Sequence, residues 1–73
     1  MMKVFDSKSF GDALRQQRKL LGYTQNDVAQ HCGFSISFIS DLENGKPTAE
    51  LGKALTLANL LGLDCQLQRR DER

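Results

Sequence analysis

Apolar residues recur every three or four positions over the first third of the chain, which is the spacing of one helix face. The first run predicts a helix that begins after an N-cap at Asp6 or Ser7 and ends near Leu21. Gly22 then supplies the stop signal. The apolar positions of this helix are Phe10, Leu14 and Leu21.

A second and a third helix are predicted close behind the first. Thr24 is a good N-cap, and Asp27 completes a carboxylate form of the capping box, so we expect a helix from Gln25 that ends at Gly33. Ser35 is the next N-cap, and the following helix is expected over residues 36–44, before another glycine. The residues predicted to face inward are Val28, Ala29, Cys32, Ile39 and Leu42.

A fourth helix is expected over residues 49–61, with Thr48 as its N-cap. Its apolar face is unusually broad, wide enough to cover both the core and a partner. The members of that face are Leu51, Leu55, Leu57, Ala58, Leu60 and Leu61.

After Gly62 the apolar period changes to two, which predicts a short strand over residues 63–68, followed by a charged tail over residues 69–73. The alternating apolar positions are Leu63, Cys65 and Leu67. A lone strand is unstable, so we favour pairing across the two-fold axis of a dimer, with an irregular tail over the core as the alternative. Val4 and Phe5 could join or cover such a strand.

The length and composition indicate one globular domain. A chain of 73 residues, 40% of them hydrophobic and spread along the sequence, buries about 60% of its unfolded surface and has no room for a large catalytic cavity. No repeat or interdomain linker interrupts it. We therefore expect a single all-α domain over residues 1–73, with a core of about residues 6–62. It should contain four to five helices and the short C-terminal strand.

The net charge of +1 hides an uneven distribution of charged residues. Residues 1–23 carry five basic and two acidic side chains, whereas residues 24–45 carry three acidic side chains and neither lysine nor arginine. So weak an overall charge cannot attract a polyanion at long range. Binding to nucleic acid would have to depend on localised phosphate contacts, several of them from the first segment.

The two cysteines, Cys32 and Cys65, lack paired spacing and a secretory signal, which indicates free thiols in a reducing cytoplasm. Cys32 lies on an apolar stripe, where a structural thiol is expected. The single histidine, His31, adjoins Cys32, but a zinc site would still lack ligands, so neither a metal nor a cofactor is expected. No apolar run approaches the ~20 residues of a membrane span, so no membrane partner is expected either.

The second and third predicted helices carry the functional signal. They are short and are separated by a tight turn at Gly33, the arrangement in which one helix crosses the DNA backbone and the next enters the major groove. The interior of such a motif requires a small residue where the helices approach, which Ala29 supplies. The apolar residues that surround it are Val28, Phe34, Ile39 and Leu42.

Four segments of this region resemble a known family. They are residues 22–25 (GYTQ), 27–29 (DVA), 33–35 (GFS) and 38–47 (FISDLENGKP). Together they are similar to the Cro/phage-repressor (xenobiotic response element) helix-turn-helix family over about residues 10–63. The leucine-rich last helix and the alternating C-terminal end further resemble HipB-type antitoxins, which repress their own toxin operons as dimers.

The resemblance implies which side chains contact the DNA backbone. Gln25, at the N-terminus of the second helix, is expected to bond a phosphate, as the free amides of a helix N-terminus favour. The other expected phosphate contacts are Thr24, Asn44, Lys46 and Arg15. Arg18 and Glu43 resemble the ion pair that ties the first helix to the third in this family.

Base reading is expected from the exposed N-terminal face of the third helix, through Ser35, Ile36, Ser37, Ser40 and Asp41. Serine hydroxyls can donate or accept, Ile36 can pack on a thymine methyl group, and Asp41 could accept from a cytosine amine. The set departs from the better-known members of the family, since no arginine, glutamine or asparagine makes a bidentate contact. Specificity per half-site should be modest, so two half-sites about one helical turn (~34 Å) apart, or DNA shape, must supply the rest.

Two functions of different classes follow from these observations. The first is a cytoplasmic bacterial repressor that binds a palindromic operator of double-stranded DNA as a homodimer and autoregulates a toxin–antitoxin operon. The second is an antitoxin module that binds and restrains a kinase-like toxin. An enzyme is not expected, because the sequence has no glycine-rich phosphate loop, and Asp41 and Glu43, two residues apart on a helix, do not face a shared site. The arginines of the 69–73 tail are either solvated or reach phosphate or the minor groove.

Overall fold

The computed structural model describes residues 2–71 and has four helices in that part of the chain. They are α1 (Ser7–Leu20), α2 (Gln25–Cys32), α3 (Ile36–Glu43) and α4 (Leu51–Leu60). The expected all-α architecture is confirmed, and the first three helices begin where the sequence predicts.

Local hydrogen bonds fix the N-termini of these three helices. Asp6 caps α1, accepting from the Ser9 amide at 2.7 Å. The Thr24 hydroxyl accepts from the Asp27 amide at 3.0 Å while the Asp27 carboxylate accepts from the Thr24 amide at 2.9 Å, so the predicted capping box of α2 is present. Ser35 caps α3 by accepting from the Phe38 amide at 3.1 Å.

The start of α4 differs from the prediction. The helix begins at Leu51, two residues later than expected, and its N-cap is Glu50, whose side chain makes no capping bond. Thr48 lies in a turn and caps nothing. The chain instead places Ala49 against the core before the helix begins, and this tertiary contact outweighs the local preference of Thr48 for an N-cap.

The core lies where the four helices meet. The side chains of Leu14, Ile39 and Leu57 are fully buried, and the other buried apolar residues are Ala13, Val28, Ala29, Leu42, Ala54, Ala58 and Leu61. Phe10 and Cys32 are partly buried and pack against this cluster. Leu21 was predicted to share the apolar face of the first helix with Phe10 and Leu14, and this was wrong. Leu21 is 44% exposed, because α1 ends at Leu20 and the chain turns there.

The broad apolar face of α4 is only half used by the core. Leu57 and Leu61 are buried, whereas Leu51 and Leu60 are 68% and 57% exposed. Apolar surface is therefore left on α4 beyond what the fold of one chain covers.

Close backbone contact between α1 and α3 sets their relative position. Gly11 is buried in α1, and a Cβ atom placed on it would overlap the Leu42 carbonyl oxygen and lie 2.9 Å from that of Glu43. A second tie joins the C-terminal ends of α1 and α4, where the Gln17 side chain donates to the Leu61 carbonyl at 2.8 Å. The first contact holds the C-terminal end of α3 against α1, and the second holds the C-terminal end of α4 against it.

Residues 63–69 have no regular secondary structure, and no strand forms within residues 2–71. The predicted strand over residues 63–68 is therefore absent from the single chain. The physical reason is that a strand needs a second strand to satisfy its amides and carbonyls, and the described residues offer none. Leu63 packs partly on the core, while Cys65 and Leu67 are exposed.

Candidate nucleic-acid interface

Helices α2 and α3 form the helix-turn-helix unit that the sequence predicts. Gly33 ends α2 in the left-handed conformation with φ of 76°, which an L side chain rarely adopts, and residues 33–35 connect the helices. Val28 and Ala29 pack with Ile39 in one cluster. Burial of these inner faces leaves the opposite face of α3 in solvent.

The residues predicted to read bases occupy that outer face. Ser35 and Ser37 are exposed, Ile36 is 47% exposed, and Ser40 is half-buried. Asp41 is different because its carboxylate pairs with the Lys46 ammonium group at 3.4 Å. Ser35 and Ser37 are thus presented to solvent and Ile36 is partly presented, while Asp41 and Lys46 partly neutralise each other.

The buried Glu43 carboxylate is the centre of the site. The Arg18 guanidinium donates to both of its oxygens, from Nε to Oε2 at 2.7 Å and from Nη2 to Oε1 at 2.9 Å. Arg18 also donates from Nη1 to the Tyr23 carbonyl at 2.8 Å. The ion pair between Arg18 and Glu43, which the family resemblance implies, therefore joins α1 to α3. Arg18 also reaches the turn between α1 and α2.

Two of the predicted phosphate contacts reach the same carboxylate. Arg15 donates from Nε to Oε1 of Glu43 at 3.3 Å, and Gln25 donates from Nε2 to that oxygen at 3.1 Å. Arg15 also donates from Nη2 to Oδ1 of Asn44 at 3.3 Å. The fold thus brings Arg15, Gln25 and Asn44 together at the C-terminal end of α3, whereas Thr24 lies at the start of α2 and Lys46 is paired with Asp41.

These bonds control the ionisation of the pair. Burial alone would raise the pKa of Glu43, but the hydrogen bonds from Arg18 and Gln25, the charge of Arg18 and the hydrogen bond from Arg15 outweigh it and lower that pKa below its ordinary value. The hydrogen bond to Glu43 in turn raises the pKa of Arg18. Both groups are therefore charged at neutral pH.

The contacts of Gln25 and Arg15 with Glu43 were not predicted from the sequence. Gln25 and Glu43 are 18 residues apart, and Arg15 and Glu43 are 28 residues apart. No helical period links such positions, so only knowledge of how α1, α2 and α3 pack could have revealed the cluster.

An apolar groove of about 400 Å³ lies away from this site, between α1 and α4. We call it the α1/α4 groove. It is lined by Ala13 and Leu14 of α1, Leu55 and Ala58 of α4, Val4 near the N-terminus and residues 63–67. Leu67 is fully exposed at its edge. Leu63, Cys65 and Leu67, which are predicted to form a dimer, therefore all border this groove.

The chain belongs to the helix-turn-helix domain family, which residues 9–72 match. It is 38% identical over 63 residues to the HTH-type transcriptional regulator y4mF of Sinorhizobium fredii (strain NBRC 101917 / NGR234), covering 86% of this chain and 83% of that protein. It is 28% identical over 69 residues to the ImmF control region 10 kDa protein of Bacillus phage phi105, covering 94% and 77%. The resemblance to the Cro/phage-repressor family is thereby confirmed, and with it the class of DNA-binding regulators.

Solved structures of HipB have the same fold. The HipB-O4 20mer complex superposes with a TM-score of 0.85 at 22% sequence identity, covering 97% of this chain and all of that chain. The HipA-HipB-O2-O3 complex gives the same TM-score, identity and coverage. Among residues 2–71, no helix has both the length and the apolar character needed to cross a membrane.

Proposed function

We propose that this protein is a sequence-specific transcriptional repressor that binds a palindromic operator as a homodimer, with α3 in the major groove. The observation that carries the proposal is the position of α3. Its outer face presents Ser35, Ile36 and Ser37 to solvent, while Arg15 and Gln25 gather at its C-terminal end. Side chains able to contact base edges therefore lie where α3 begins, and donors able to contact phosphate lie at its C-terminal end. The complexes of HipB with 20mers support this proposal.

The experiment that tests it is selection from a random-duplex DNA library with the purified protein, with the mass in solution recorded at the same concentration. We expect an enriched palindrome whose half-sites are about one helical turn (~34 Å) apart, together with a dimeric mass. Affinity for the enriched duplex should fall steeply with salt concentration. Failure of the folded protein to enrich any sequence would contradict the proposal.

Two sets of substitutions separate phosphate contact from base reading. Gln25→Ala removes a phosphate donor and should weaken binding about tenfold for every duplex, because a hydrogen bond to a charged group contributes about 1.5 kcal/mol at the low, partly solvated end of its range. Ser37→Ala with Ser40→Ala should instead change the order of preference among duplexes. Binding to the selected operator and to several single-base variants measures both effects. A uniform loss from the serine changes would remove these two residues from the set of base readers.

The dimer is proposed to form across the α1/α4 groove, with residues 63–68 pairing as strands about the two-fold axis. The single chain leaves Leu51 68% exposed and Leu67 fully exposed beside the groove. Pairing with a second copy would cover both leucines and supply the partner that the isolated strand lacks. A two-fold dimer also matches a palindromic operator.

Leu67→Lys is expected to shift the protein from dimer to monomer, since it would bury an unpaired charge in the interface. Leu20→Lys is the matched control, because Leu20 is 80% exposed and does not line the groove. Sedimentation equilibrium over a range of concentrations measures the dissociation constant of each variant. Equal dimerisation of the two variants would place the interface elsewhere.

A second function is proposed beside the first: that the protein is an antitoxin which binds a kinase-like toxin and represses their shared operon in the cytoplasm. The HipA-HipB-O2-O3 complex favours this possibility, since HipB has the same fold and is bound there to HipA. Co-expression with the neighbouring open reading frame and co-purification test it. A neighbouring protein that remains unbound would leave only the repressor function.

A further inference from the structure

The buried Glu43 has more hydrogen-bond donors than it needs for a structural ion pair. Its side chain is 2% exposed, and Arg18 alone neutralises the charge and bonds both carboxylate oxygens. Arg15 and Gln25 nevertheless donate to Oε1 as well. Each of these two side chains is only half-buried, so both lie at the rim of the cluster.

Both rim side chains keep donors for a further acceptor. Arg15 uses Nε and Nη2 for Glu43 and Asn44, which leaves Nη1 and its two hydrogens. The Gln25 amide donates one of its two Nε2 hydrogens to Glu43 and keeps the other. The cluster of Arg15, Arg18 and Glu43 has a net charge of +1, and Arg15, with 40% of its side chain exposed, carries that charge to the surface.

We propose that Glu43 is a positioning residue for DNA binding. Its carboxylate holds the Arg15 guanidinium and the Gln25 amide, from two different helices, so that they form one shared site for a DNA phosphate. The inference rests on the proposed function, because it assumes that the acceptor is a DNA backbone. A site assembled before binding loses less side-chain entropy when the phosphate arrives.

The proposal makes a prediction opposite in sign to that of simple electrostatics. Glu43→Gln removes a negative charge, which by attraction alone should strengthen binding to DNA. If Glu43 positions the two donors, the variant should bind the selected operator about tenfold more weakly, since two oriented hydrogen bonds to the phosphate are weakened. Fluorescence anisotropy with the selected duplex, at several salt concentrations, measures the affinity.

Asp12→Asn is the matched control for charge. Asp12 lies on α1 as a half-exposed carboxylate 3.8 Å from the Lys8 ammonium group, outside the cluster. Its loss changes the net charge by the same amount, so binding should strengthen by about twofold at low salt. A Glu43→Gln variant that binds as tightly as Asp12→Asn would overturn the proposal.

A mutant cycle tests whether Glu43 acts through the two donors. In the Arg15→Gln/Gln25→Ala background, adding Glu43→Gln should weaken binding no further. An equal tenfold loss in that background would mean that Glu43 acts through the fold alone, and would overturn the proposal. Thermal unfolding of each variant identifies changes in stability.

If Glu43→Gln does not fold, Arg15→Lys decides the question, because that side chain is partly exposed and the change keeps its charge. Lysine cannot bridge Glu43 and Asn44 with two fixed donors. We expect binding to fall about fivefold or more below that of the wild type, and wild-type affinity would overturn the proposal. A wild-type protein that binds no duplex would overturn the proposed function together with this inference. Wild-type binding that is unaffected by the substitutions would overturn only the inference about Glu43.

Discussion

Arg18→Leu is expected to destabilise the domain by about 3–5 kcal/mol at pH 7, because it removes one partner of a buried ion pair and leaves the other charged. Arg18 is 8% exposed and Glu43 3% exposed, so solvent cannot replace the lost contacts. A small domain has roughly 5–10 kcal/mol of stability in total, so this single change would remove a large part of it. Urea unfolding at fixed protein concentration measures the loss.

The loss of unfolding free energy caused by Arg18→Leu should depend on pH. The pKa of Glu43 lies below its ordinary value of 4.5 in the folded protein, so the stability that its ionised form contributes is present above pH 4.5. That contribution is lost as the pH falls through the folded pKa. The difference between wild type and variant should therefore be full at pH 7 and narrow below pH 4.5. The lowered pKa values of Asp6 and Asp27, which arise from backbone hydrogen bonds, are common to both proteins and cancel.

Lys8→Leu is the control for this experiment. Lys8 is an exposed cation on the same helix, and its contact with Asp12 is long and solvated. Its removal should change the free energy of unfolding by less than about 0.5 kcal/mol both at pH 7 and at pH 3. A loss from Arg18→Leu that stays constant between pH 7 and pH 3 would mean that the ion pair does not hold the pKa of Glu43 down.

Gly11→Ala is expected to destabilise the protein by about 2 kcal/mol. This is so although alanine is more favourable than glycine in a helix interior by roughly 1 kcal/mol. The new methyl group would overlap the Leu42 carbonyl and press on that of Glu43, and both are backbone atoms that cannot rotate away. Helices α1 and α3 would have to separate. Because the Glu43 cluster spans those helices, affinity for DNA should fall along with stability.

Gly52→Ala is the matched control for Gly11→Ala. Gly52 also lies in a helix, as the second residue of α4, and a Cβ atom on it would meet nothing within 4 Å. The same substitution should therefore stabilise the protein by about 0.5–1 kcal/mol. Thermal unfolding of the two variants gives the comparison, and a stabilising effect from both would show that α1 and α3 can adjust to a larger residue at Gly11.

Much of the local structure could be predicted because it is encoded by neighbouring residues. The caps at Asp6, Thr24 and Ser35 each bond an amide three residues later, so a short sequence pattern is sufficient to identify them. The prediction failed at Thr48, where the packing of Ala49 on the core decides where α4 begins. It failed at residues 63–68 because a strand is defined by its partner rather than by its own sequence.

The sequence by itself determined the helix-turn-helix unit, since its caps, its glycine turn and its inner apolar faces all lie within about 20 residues of one another. It also identified the outer face of α3, which follows from the helical period once the buried face is known. Only the tertiary structure decided that Arg15 and Gln25 join the Arg18–Glu43 pair, because these contacts cross three helices. The α1/α4 groove was likewise decided by the tertiary structure, because the residues that line it come from both ends of the chain.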